Sequence, residues 1–256
     1  MKNLYPLFEQ NRILKKELLW SLRDYSFAHI QLEYQEYAPG IIRGCRVSIK
    51  KNKLVVSTGL IKAGDFICLF TAEESAVYEA INSMQYLKLK VMVDHSVPDY
   101  ISYESKLYLD TKEAREENEF ELCRFYLREG ASLRDTYKSF YDMETEYDTV
   151  NLIYASWSAR GGTALAPDIL KYYAERILQS KNSEAEDLFI AYQCLCGENT
   201  MERSILAAYL SRRLGEEKAA DNYELYKQLG RVLEKIGLEQ EQPLKRIPKR
   251  NYIIVD

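Results

Sequence analysis

Histidine is almost absent from this chain of 256 residues: only His29 and His95 occur. A histidine-based general base or a histidine-rich metal centre therefore has very few positions open to it. Neither G-x-x-x-x-G-K-[ST] nor G-x-G-x-x-G is present, so the backbone cradle that holds nucleotide phosphates has no support. G-x-S-x-G is missing as well, and with it the usual nucleophile elbow. No window approaches 18 uncharged apolar residues and the N-terminus has no apolar core, which argues against a membrane span and a signal peptide.

The cysteines, Cys45, Cys68, Cys123, Cys194 and Cys196, are odd in number and irregular in spacing, so no disulfide framework follows. The first three sit in alternating apolar runs and read as small buried hydrophobes of a reduced, cytoplasmic protein. Cys194 and Cys196 make half of a zinc site. On a helix their side chains point about 200° apart, and two further ligands are wanting. No catalytic, cofactor-binding or metal residues are expected.

Positive charge is not in excess either. Lys and Arg total 35 against 39 Asp and Glu, a formal net charge of -4, so no bulk field draws in a nucleic-acid backbone. A local basic tail, Lys245, Arg246, Lys249 and Arg250, reads as a solvated terminal segment. What the chain does have is apolar content, 46%, and 21 tyrosines. A chain of this size removes roughly 73% of its unfolded surface from water, enough for a core without staples. Tyrosine is apolar in its ring and wet at its hydroxyl, which suits core edges and recognition surfaces alike.

Along the chain, Leu14, Leu18, Leu19 and Leu22 form one stripe, predicting an amphipathic helix over 11–24. From Gly40 the period becomes two: Cys45, Val47 and Ile49 alternate with polar residues, then Leu54 to Val56, then Phe66, Cys68 and Phe70. Three short strands with one buried face predict an antiparallel meander. Residues 71–83 fit a short helix or a loop. Leu87 to Val93, residues 100–109 and Phe120 to Leu127 read as more strands, with the glutamate-rich 113–119 as a solvated connection. Residues 133–147 carry roughly helical spacing, and 150–154 fit either a strand or a helix turn.

Beyond them the signals are helical. Pro167 suits a first helical position, Ser183 and Glu186 make a capping box for a helix closed by Gly197, a third helix runs from near Thr200 to Gly215, and a fourth ends at Gly237. Short connections make these antiparallel neighbours in a small bundle. Tyr252 to Val255 read as a returning strand that must pair with the β unit or another chain. The expectation is an α+β fold: an N-terminal helix and antiparallel, meander- or sandwich-like β-domain over 1–130, a helical domain over 131–242, and a tail with a short strand over 243–256.

The stretch Gly40-Ile-Ile-Arg-Gly-Cys-Arg-Val-Ser-Ile-Lys, followed by Lys53-Leu-Val-Val-Ser-Thr-Gly-Leu-Ile-Lys-Ala-Gly-Asp-Phe-Ile-Cys-Leu-Phe, resembles a β element of phage tail and baseplate proteins. Gly40 and Gly44 allow entry and a bend there, and Gly59 ends a strand. Arg124-Phe-Tyr-Leu-Arg-Glu-Gly-Ala-Ser-Leu-Arg and Trp157-Ser-Ala-Arg-Gly-Gly resemble Firmicutes proteins of contractile, phage-tail-like injection systems. The resemblance implies a non-enzymatic baseplate or tail-associated adaptor, held in the cytoplasm until assembled, whose partners are other subunits of the particle and further copies of itself. The rival reading is a carbohydrate- or peptide-binding module using exposed tyrosines and a loop at Trp157, Arg160, Gly161 and Gly162. An enzyme or nucleic-acid protein of unrecognised type ranks third.

Overall fold

The computed structural model describes residues 13, 15–114, 116–144, 147–196 and 200–238. The expected strand at 252–255, the basic tail and the stop at Gly197 lie outside them. Within them the fold is α+β: an N-terminal helix, a set of mostly antiparallel strands, then a helical bundle.

Helix α1 spans Lys16–Glu33, well past the expected end near 24. Residues 25–33 contain neither Pro nor Gly, and a helix continues over such a run until a breaker intervenes. The breaker is Pro39-Gly40. The expected burial of the leucine stripe is not found, because none of the helix's residues is buried. What fixes α1 is its C-terminal end. Lys62, itself buried, donates its ammonium to the carbonyls of Tyr34, Gln35 and Tyr37 at 3.0, 2.9 and 2.7 Å. These carbonyls have no partner inside the helix, and a cation there also meets the negative end of the helix dipole. Tyr34 joins Ile42 and Ile67 in a small cluster that seats this end on the sheet.

The run 40–70 is not one meander. It forms β1 Gly40–Gly44, β2 Val47–Lys50, β3 Lys53–Val56, β4 Gly59–Ala63 and β5 Phe66–Phe70, divided between two sheets. The chain leaves the first sheet after β1 and returns to it at β4. At the crossing Cys45 takes φ +48°, and its amide donates to Thr58 O at 3.0 Å. A bend of this kind lets one long hairpin serve two sheets. Gly44 has φ +70°, and a Cβ there would overlap the Thr58 carbonyl. At Gly59 a Cβ would stand 2.5 Å from both Arg43 O and Cys45 Sγ. Only glycine lets the two backbones come this close.

Residues 71–83 supply β6, Glu74–Val77, which makes a three-stranded sheet in the order β2-β3-β6. A third sheet has β7 Met84–Asp94 between β8 Ser102–Asp110 and β9 Glu119–Tyr126. The glutamate-rich segment is the connection between β8 and β9. Among the described residues of 133–147 the one helical element is the 3-10 turn Tyr141–Glu144, and Thr149 and Asn151 are bridged to Arg134 and Arg124. Next come β10 Trp157–Ala159 and β11 Gly162–Ala164. β10 pairs parallel to β1, completing the order β11-β10-β1-β4-β5.

The bundle comprises α2 Pro167–Gln179, α3 Ala185–Cys196, α4 Arg203–Leu214 and α5 Asn222–Lys235. Pro167 stands in the first turn of α2, and Asp221 caps α5 by accepting from Glu224 N at 2.8 Å. The capping box at Ser183 is not formed. Its hydroxyl donates back to Ile177 O, and the amide of Glu184 is taken by the buried Asp187 at 2.9 Å. The carboxylate-to-amide contact is thus made one residue further on, between Asp187 and Glu184. Buried apolar residues of sheets and helices form one contiguous cluster, from Leu54 and Leu87 through Phe140 to Tyr226 and Leu229.

Candidate interaction site

Trp157, Arg160, Gly161 and Gly162 belong to the hairpin of β10 and β11. Trp157 is 5% exposed and sits opposite Ile41 and Ala164. Arg160 is exposed at the hairpin's end, its Nε 3.0 Å from Glu36 Oε2, and the Gly161 amide donates to Glu36 O at 2.9 Å. Thr200, just before α4, bonds to the carbonyl of Ser158. The hairpin thus ties the end of α1 to the start of α4. Trp157 faces the core and Arg160 faces water, so the four residues do not share one surface.

His29 lies on α1 with its ring 6.4 Å from that of Tyr25, and His95 follows β7; both are exposed. Cys45, Cys68 and Cys123 are buried, and burial pushes the thiols of Cys45 and Cys68 up to about 12 and about 11. Cys194 is half-buried and pushed up to about 12 by the same cause, while Cys196 is exposed.

Apolar side chains face water at separate places. On α1 these are Leu19, Trp20, Leu22, Phe27 and Leu32, the last 71% exposed. Phe27 packs at a tilt against the β unit, with its ring 6.3 Å from that of Phe66. On the bundle, Phe189 of α3 and Ile205 of α4 are 60% and 51% exposed and flank a groove that Tyr209 also lines. The sequence pattern places the α1 leucines on a helix, and their exposure among the described residues comes from the tertiary structure.

A cleft of about 670 Å³ opens where the hairpin of β1 to β4 meets the bundle. Arg43 and Arg46 come from the strand crossing, Lys171 from α2, hydroxyls from Ser57 and Thr58, and Leu195 from α3. Trp157 supplies apolar wall. Arg46 Nη1 lies 3.5 Å from Asp168, and Lys171 Nζ lies 3.9 Å from Glu175. Lys171 is distant in sequence from Arg43 and Arg46 and joins them only because the hairpin and α2 meet, so no linear motif announces the three together.

A charged network lies on the third sheet. Lys88 is buried, 2.9 Å from Asp110 and 3.5 Å from Glu119, and donates to the Glu113 carbonyl. Glu119 also receives the hydroxyl of Tyr108. Arg124 grips Glu121 with two nitrogens at 2.6 and 2.9 Å, reaches Glu113 at 3.1 Å and stacks 3.9 Å from the Tyr154 ring. Burial raises the Glu121 carboxyl against the opposing pull of Arg124, and the Tyr108 hydroxyl is raised by burial and then by Glu119. Two cations, Lys88 and Arg124, thus face four carboxylates, and each cation has more than one acidic partner, as ions held away from water require.

No protein-family profile matches the sequence, and no curated protein matches it. Several solved chains are similar at a distance, two of them as follows. One is a crystal structure of TssK, 8% identical, with a TM-score of 0.38 over 94% of this chain and 71% of that chain. The other is a chain of the TssK-TssF-TssG baseplate subcomplex of the type VI secretion system, determined by cryo-electron microscopy. It is 9% identical, with a TM-score of 0.39 over 92% of this chain and all of that one. Likeness at this level does not carry a function from one chain to the other.

Proposed function

We propose that this chain is a non-enzymatic assembly component, a baseplate or tail-associated adaptor of a contractile, phage-tail-like particle, held between neighbouring subunits. The observation that carries the reading is α1: 18 residues of helix with Trp20, Leu22, Phe27 and Leu32 exposed, and none buried. A monomer that leaves such a surface to water loses the gain of burying it, about 25 cal/mol per Å². The exposed Phe189 and Ile205 provide a second apolar face on other elements, as a subunit with neighbours on two sides requires. The kind of particle comes from the resemblance carried by the glycine-punctuated strands at 40–70.

In this reading the β portion, 1–130, and the helical portion, 131–242, contact different neighbours, with the tail at 243–256 as a further contact. The test is co-expression with the products of the flanking genes, followed by light scattering of the purified mixture. Complexes of defined mass are expected. A persistent monomer in every mixture, or flanking genes without sheath, tube or baseplate components, would defeat the reading.

A further inference from the structure

We infer that the cleft between the β1 to β4 hairpin and the bundle binds an acidic peptide segment of a partner subunit. The inference rests on the assembly reading for the identity of the partner, and on the cleft itself for the chemistry. Three cations, Arg43, Arg46 and Lys171, line it together with Ser57 and Thr58, and no Asp or Glu is among the lining residues. The lining is thus cationic in a chain whose net charge is -4, with Asp168 and Glu175 standing just outside it beside Arg46 and Lys171. Convergent positive charge in a concavity raises the local concentration of an anionic partner and orients it.

The other lining residues decide between a peptide and a small anion. Leu60, Trp157, Pro167 and Leu195 give the cleft an apolar wall beside the cations, and about 670 Å³ exceeds what one phosphate group fills. A segment of alternating carboxylate and apolar side chains satisfies both. Arg46 and Lys171 are held in place without being consumed. The contacts of Arg46 with Asp168 at 3.5 Å and of Lys171 with Glu175 at 3.9 Å are long and lie at the surface. Pairs of this kind are weak, so an incoming carboxylate replaces them at little cost. Close approach of the two backbones at Gly44 and Gly59 fixes the crossing that presents Arg43 and Arg46.

The test uses the full chain and a fluorescein-labelled hexapeptide alternating Glu and Leu, read by anisotropy, with a Gln and Leu peptide as the neutral control. Saturable binding of the acidic peptide alone is expected, weakening as salt rises. The double variant Arg46→Glu with Lys171→Glu should bind about tenfold less tightly or worse. Lys106→Glu, an exposed cation on β8, should leave binding unchanged. If the double variant loses its cooperative melting transition, Arg46→Gln with Lys171→Gln is measured in its place, and a loss of binding is again expected. Equal binding of both peptides, indifference to both cleft variants, or displacement of the peptide by millimolar inorganic phosphate would overturn the inference. Light scattering with the flanking gene products separates the two readings. Assembly without peptide binding sinks the cleft and spares the adaptor, whereas peptide binding without assembly does the reverse.

Discussion

The ammonium of Lys62 stands 2.7 Å from the carbonyl oxygen of Tyr37 and closes the C-terminal end of α1 onto the strand β4. This buried cation joins an otherwise exposed helix to the rest of the molecule, together with the apolar seat of Tyr34 on Ile42 and Ile67. Lys62→Met keeps most of the volume but leaves three carbonyls without their charged donor. Hydrogen bonds to a charged group contribute about 1.5 to 3 kcal/mol each at most, and partial access of water to the helix end lowers the loss. A global destabilisation of about 2 kcal/mol is expected by urea unfolding, with faster proteolysis around 34–38. Unchanged protection of that segment would show that the apolar seat of Tyr34 suffices.

The strand crossing is expected to be the least tolerant turn. Gly44→Ala places a side chain against the Thr58 carbonyl at a positive φ, and Gly64→Ala places one in open space at φ +56°. The second substitution costs about 1 kcal/mol of backbone strain, and the first should cost about 3 kcal/mol or abolish folding. Comparing the two urea midpoints tests whether overlap or dihedral strain dominates.

In the bundle, burial pushes the carboxyl of Asp187 up, but the guanidinium of Arg213, the Tyr209 hydroxyl and the Glu184 amide outweigh burial and hold it below the usual range. Asp110 is likewise held down, chiefly by Lys88. Groups with lowered values in the folded state stabilise fully above their unfolded value, about 3.9 for Asp, and lose that contribution as the pH falls through the folded value. Thermal stability should therefore stay level on this account from pH 7 to about pH 5 and fall below about pH 4. Asp187→Ala leaves Arg213 with Glu184, at 2.9 Å, as its remaining carboxylate and should cost about 3 kcal/mol at pH 7, the low end for breaking a buried pair, while flattening the acid limb.

Replacing the outward apolar residues of α1 should separate assembly from stability. Trp20→Ser with Leu22→Ser removes groups that are 45% exposed. The melting temperature should move little, since exposed substitutions stay within about 0.5 kcal/mol each. Complex formation with the flanking gene products should drop, measured as the fraction of heavy species by light scattering.

Thiol chemistry gives an inexpensive check on the fold. In the native protein a thiol reagent at pH 8 should label Cys196 rapidly, with Cys194 and Cys45, both raised to about 12 by burial, labelled only on unfolding. Rapid labelling of two or more sites would mean that the end of α3 or the strand crossing is open.

Much of the architecture can be read from pattern. Pro167 before Ile169, Leu170, Tyr173 and Ile177 announces α2, because capping and periodicity agree there. The division of 40–70 between two sheets cannot be read so, since each strand is only four or five residues long and alternation is the same in either sheet. Lys62 and Lys88 look like solvent-facing members of alternating strands, and tertiary partners alone make them interior residues. For the candidate site, the tryptophan-glycine stretch at 157–162 attracts attention by composition, yet Trp157 is buried apart from the edge it gives to the cleft. Arg43, Arg46 and Lys171 converge across more than a hundred residues of sequence, a distance over which no spacing rule operates.

Ile41 lies beside Trp157 in parallel strands, so the central sheet takes one of its inner neighbours from a segment made long after the rest. On the ribosome, β1 emerges with one flank bare and waits for that late arrival. Until then its hydrogen-bonding edge is open to strands from other nascent chains. Premature termination before residue 157 should therefore yield a sticky fragment rather than a smaller working piece, and the cell would have to clear it.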